Sequence, residues 1–183
     1  MEGVTKGRSL KEGLWKFIYW PILWAITLGS TYVFFGDIAR PGGEGLAILR
    51  VIGLVLLFWA FLILGVAGRT LRYYGHKDPN RKSFWPDKLV KVGIYSCMRH
   101  PQHLGLMLVS IALALITASP ITIIASGWAV VGTLFFVIFI EEPDCFMKFG
   151  NEYYAYIKEV KAFALNPLCI IKGINYLRER GRM

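Results

Sequence analysis

The chain has 183 residues, is 55% hydrophobic and only 18% charged, and carries a formal net charge of +9. One domain fits this length, but a water-soluble domain could hardly hide so much apolar surface. The basic balance does not call for nucleic acid, because the charge is parcelled out between apolar runs as the positive-inside rule requires of a multi-span membrane protein.

Three charge-free stretches set the architecture. Residues 17–35 and 51–68 hold no charged side chain, and 104–140 holds none over 37 positions. A helix needs about 20 apolar residues to cross the hydrocarbon core, so the first two stretches each fit one span and the third fits two. The expected fold is all-α: a polytopic membrane protein with about four transmembrane helices, a cytosolic loop and a C-terminal amphipathic helix, built as one membrane-embedded domain over 1–183.

In chain order, the first span is expected over about 14–35, with Pro21 placed to kink it and Gly29, Ser30 and Thr31 small enough for close helix contact. A turn follows at Pro41-Gly42-Gly43. The second span covers about 46–71, and Arg69 and Arg72 suit snorkelling anchors at its end. The loop from Tyr73 to Met98 is turn-rich and long for a connector, a length that often signals function; Phe84 and Trp85 suit the membrane interface. The third and fourth spans, about 102–118 and 120–140, form a hairpin. Pro101 and Pro120 each fit a first helical turn, where the missing N–H costs nothing. Beyond it, Tyr153, Tyr156, Ile157, Val160 and Phe163 recur at helical spacing, which predicts the amphipathic helix. The segment 172–182 reads as a solvated basic tail or a lipid-headgroup contact.

Basic residues fall in residues 1–16, in the loop before the hairpin and after Ile140, while the turn at Ser119-Pro120 has none. Both termini and the long loop are therefore expected in the cytosol. The membrane would be the plasma membrane in a prokaryote or the endoplasmic reticulum in a eukaryote. Cys97, Cys145 and Cys169 match no zinc or disulfide spacing; reduced thiols and no metal are expected.

Two charged clusters flank the hairpin, Arg99-His100 before it and Glu141-Glu142 after it. A hairpin returns its ends to one side of the membrane, so the clusters should be neighbours. Each opposes the helix macrodipole where it sits, by roughly 0.3–1 kcal/mol per group, and something must offset that. A structural ion bridge would do so. So would a zwitterionic ligand, its carboxylate on Arg99 and His100 and its ammonium or sulfonium on the glutamates.

Gly93-Ile94-Tyr95 followed by Arg99-His100-Pro101-Gln102-His103-Leu104-Gly105 resembles the "G-x-Y … R-H-P-x-x-x-G" signature of the isoprenylcysteine carboxyl methyltransferase and phospholipid methyltransferase superfamily. Glu141-Glu142, Phe149-Gly150, Tyr153, Tyr156 and Val160 resemble its second half, so that about 89–167 is the cofactor-binding half. The resemblance implies a membrane-embedded methyltransferase using S-adenosyl-L-methionine, with a lipidic or prenylated acceptor arriving from the bilayer. It implies that Arg99, His100 and Glu142 hold the amino-acid end of the cofactor, that Gly93 and Tyr95 line its pocket with Pro101 and His103, and that Glu141 supports it. Arg99 or Glu141 would otherwise face the acceptor, with Glu141 as base for an amine.

Two positions depart from the pattern: His103 stands where relatives often have Tyr, and Lys161 where a Pro commonly follows the valine. Other classes stay open from sequence: a phospholipid N-methyltransferase, a sterol-reductase-like enzyme using NADPH, or a non-enzymatic scaffold. The acceptor and the oligomeric state are not legible.

Overall fold

The computed structural model describes residues 44–78 and 86–182, with positions 18, 21–22, 25–29 and 32–33. Most of the expected first span therefore lies outside the described residues, as do Phe84 and Trp85. Among the described residues the chain is helical and has no strand, only a parallel bridge between Met98 and Lys161.

From residue 44 on, the helices among the described residues are α1 (Glu44–Tyr74), α2 (Pro101–Thr117), α3 (Pro120–Phe136), α4 (Glu142–Phe149), α5 (Asn151–Glu159) and α6 (Leu168–Arg178), with a 3-10 turn at Gly93–Ser96 and a π turn at Val137–Glu141; the described positions before 44 are helical too. Helical segments over Gly45–Tyr74 and Pro120–Phe149 are long and apolar enough to cross a membrane, while Pro101–Thr117 is apolar but shorter. Val51, Leu54, Phe58 and Phe61 of α1 stand exposed, as do Trp128 and Phe139 beyond Pro120. Apolar exposure on this scale is the mark of a lipid-facing surface.

The contacts divide the chain into two units, Met1–Leu54 with Ser110–Leu134, and Val55–Val109 with Phe135–Met183. In the first unit, Gly53 admits close approach: a Cβ there would lie 2.8 Å from Ile116 Cγ1 and 2.9 Å from the Ala112 carbonyl oxygen. The α2–α3 turn is tight. Ala118 takes φ 49, and its N–H donates to the Ala114 carbonyl at 2.8 Å. The buried hydroxyls of Thr117 and Thr122 pair at 2.5 Å, which satisfies polar groups that lipid cannot.

The second unit holds every candidate site residue. Here α2 closes on α1 at Gly105, where a Cβ would lie 2.7 Å from Leu64 Cγ. The 3-10 turn and α6 pack together: a Cβ on Gly173 would meet Val66 Cγ1 at 2.6 Å and the Ile94 nitrogen at 3.2 Å. Residues 172–178 of the expected basic tail thus belong to a docked helix that buries Cys169, Ile170, Gly173 and Leu177 on one face, while 179–182 lie beyond it and are exposed as expected.

Two further expectations change. The helix read over 153–163 stops at Glu159, and Val160 is extended at φ −123, ψ 129. The hairpin's last helix does not end at the glutamates: it widens into the π turn and continues as α4. Pro143 helps to explain the widening, since it has no N–H to give Phe139 and its ring crowds that carbonyl. A π turn adds a residue and re-aims the side chains beyond it, and such turns are frequent at functional sites. The macrodipole penalty expected for Glu141 and Glu142 therefore does not arise in that form, because no helix ends there.

Candidate active site

Arg99 lies just before α2, beside the Met98–Lys161 bridge, in a segment held by the chain beyond α5. Its N–H donates to the Lys161 carbonyl at 2.9 Å, and the next N–H, of His100, donates to the Ala162 carbonyl at 3.1 Å. Proline also carries a carbonyl, so Lys161 in place of the common Pro leaves this pairing intact.

The guanidinium is engaged on two sides. Nη2 and Nε donate to Oε1 of Glu142 at 2.5 and 3.2 Å. Nη1 donates to the Val160 carbonyl at 2.5 Å and the Ile157 carbonyl at 3.4 Å. His100 Nε2 lies 3.2 Å from the same Oε1; a carboxylate only accepts, so this nitrogen bears the proton. The side chains of Arg99, His100 and Glu142 are only 11%, 5% and 22% exposed. Three donors thus converge on one oxygen of one carboxylate in a sparsely solvated cluster.

Around it stands an aromatic wall. The His103 ring meets His100 edge-on at 5.6 Å and stacks on Phe136 at 5.8 Å. Phe163 lies 6.0 Å from His100. Tyr153 packs against Phe146 at 5.0 Å and Tyr156 at 6.1 Å. The Tyr156 hydroxyl donates to the Tyr95 carbonyl at 2.5 Å, which ties α5 to the 3-10 turn. Burial, with Tyr156 and Glu141 nearby, pushes the Tyr95 phenol well above its ordinary range. The Tyr153 and Tyr156 phenols are raised chiefly by burial too.

The remaining sequence candidates are spread around this cluster. Gly93 takes φ +59, and a Cβ there would lie 3.4 Å from Tyr176 Cδ1 of α6. Pro101 opens α2 fully buried. Glu141, the last residue of the π turn, is half-buried. Arg99 and His100 converge on its neighbour Glu142.

Sequence reasoning missed the carbonyls of Ile157 and Val160 as acceptors for Arg99, since backbone carries no residue-type signal. It also gave Tyr153 no task, although that side chain is only 2% exposed and its hydroxyl has no hydrogen-bond partner.

The family model for phospholipid methyltransferases matches residues 45–152, more than half the chain. The chain belongs to the phospholipid methyltransferase family. It is thereby part of the superfamily whose signature Arg99-His100-Pro101 and Glu141-Glu142 resemble. Searches of curated proteins and of solved structures return no match. The phospholipid methyltransferase match spans α1 through the first residues of α5, and so includes both halves of the Arg99–Glu142 pair. Family membership and the exposed apolar helices make this a methyltransferase of the membrane.

Proposed function

We propose that this protein transfers a methyl group from S-adenosyl-L-methionine to a lipidic or prenylated acceptor within the bilayer, as a four-span protein with both termini in the cytosol. The observation that carries this is the convergence of Arg99 and His100 on Glu142 inside the family's matched region. The donor set suits the cofactor: its amino-acid end needs a cation for the carboxylate and a carboxylate for the ammonium, and both kinds stand side by side here.

In this reading Arg99 and His100 hold the carboxylate and Glu142 the ammonium. Gly93, Tyr95, Pro101 and His103 shape the surrounding pocket. Bound there, the cofactor supplies a sulfonium methyl already activated for in-line displacement. The protein's share is alignment and the exclusion of water. A carboxylate acceptor attacks without help. An amine acceptor must first be neutral, and Glu141 is the base available to take its proton.

Isoprenylcysteine and phosphatidylethanolamine are the two acceptor types to separate. The test is transfer of labelled methyl from S-adenosyl-L-methionine into each, presented in vesicles to the detergent-purified protein. Label in either lipid, lost in Glu142→Gln, supports the proposal. No label in any lipid acceptor overturns it.

A further inference from the structure

A buried hydroxyl without a partner is costly, by about 1–3 kcal/mol, and native proteins rarely keep one idle. Tyr153 has one. Its position is informative. Tyr153 is one helical turn before Ile157, whose carbonyl accepts from Arg99. Its ring packs on Phe146, one turn after Glu142. The hydroxyl is therefore held close to the Arg99–Glu142 pair: both charges act on its ionisation and the Arg99 N–H groups lie near enough to favour its ionised form, yet no partner stands within normal hydrogen-bond distance and angle.

Occupying Glu142 with a cation has a consequence for Arg99. Two of its nitrogens now donate to Glu142 Oε1. A ligand ammonium that draws this carboxylate towards itself strips those bonds from a guanidinium that is 11% exposed. The stranded N–H groups then need an acceptor, and water has little access. Val160 and Ile157 already serve the other side.

We propose that Tyr153 is a positioning residue that exchanges partners with Glu142: its oxygen accepts from Arg99 when a ligand's cationic end claims the carboxylate, leaving the fork aimed at the ligand's own carboxylate. The proposal rests on the S-adenosyl-L-methionine reading above and adds how the pair opens. The hydroxyl is idle in the ligand-free protein and satisfied in the complex, so it favours ligands that bear an amino-acid end.

The test is a titration of full-length wild type and Tyr153→Phe, in detergent, with S-adenosylhomocysteine and with methylthioadenosine, which lacks the amino-acid end. Ligand-free melting is measured in parallel. The phenylalanine variant keeps the ring packing. Its ligand-free melting temperature should equal or exceed that of wild type, its affinity for S-adenosylhomocysteine should fall about tenfold, the worth of one hydrogen bond to a charged group, and its affinity for methylthioadenosine should not change. Equal S-adenosylhomocysteine affinities overturn the exchange. So does a parallel loss for methylthioadenosine, or a lowered ligand-free melting temperature, which would mean that the hydroxyl already bonds in the resting protein. A wild type that binds neither compound overturns the cofactor reading as well, which separates the two failures.

Discussion

Arg99 and Glu142 are 43 positions apart in the chain, and their side chains meet at 2.5 Å while the other edge of the guanidinium holds the Val160 carbonyl. The arginine therefore joins three segments: the entry to α2, the start of α4 and the end of α5. Lysine offers a single point charge and cannot serve both sides. Arg99→Lys should lower stability by about 2 kcal/mol, near the value for hydrogen bonds to charged groups. Exchanging the two charges (Arg99→Glu with Glu142→Arg) should not restore it, because a carboxylate at 99 cannot donate to the Val160 and Ile157 carbonyls. Melting curves in detergent check both.

The docking of α6 depends on Gly173. A methyl there would lie 2.6 Å from Val66 Cγ1 and 3.2 Å from the Ile94 nitrogen. Overpacking of this kind costs about 1–3 kcal/mol. Gly173→Ala should destabilise, and Gly173→Leu should release α6 so that limited proteolysis cuts near 164–168. Equal protease resistance in the leucine variant would contradict the packing described.

The α2–α3 turn carries a strained residue that a smaller one would relieve. Ala118 has φ 49, a region that costs an L-residue about 1–2 kcal/mol. Ala118→Gly should therefore raise the melting temperature despite glycine's greater freedom when unfolded. A fall would show that chain entropy outweighs the relief.

Alkaline pH should weaken the fold. Burial and the Cys97 thiol raise Cys169 from 9.0 to about 11, and burial raises the Tyr95, Tyr153 and Tyr156 phenols. The folded chain thus keeps protons that the unfolded chain loses. Their stabilising contribution is complete below the unfolded values of 9.0 and 10.0 and is lost as pH rises through them towards the folded values. Melting temperature should decline above about pH 9, and Cys169 should be the slowest thiol to alkylate at pH 8.

Much of the outline was legible because proline and charge speak locally. Pro101 and Pro120 open α2 and α3, and a hairpin must bring the flanks of 101–141 together, which is how Arg99 comes to meet Glu142. The π turn was not legible, since Val137–Glu141 has ordinary helical composition and only Pro143 hints at disturbance. Tertiary pairing won over periodicity at Val160–Phe163: the spacing suits a helix, but the carbonyls of Lys161 and Ala162 serve Arg99 and His100. The docked α6 was hidden by Lys172, Arg178, Arg180 and Arg182, although Ile170, Gly173 and Leu177 share a helical face.

The most direct measurement is thermal unfolding of the detergent-solubilised protein with S-adenosylhomocysteine, for wild type, Arg99→Ala and Glu142→Ala. A ligand that binds only the folded state at 100 times its Kd stabilises by about 2.7 kcal/mol, so the wild type should melt at a higher temperature with the compound and both variants should not respond. Equal stabilisation of all three proteins, or stabilisation of the wild type by NADPH in place of S-adenosylhomocysteine, would contradict the assignment.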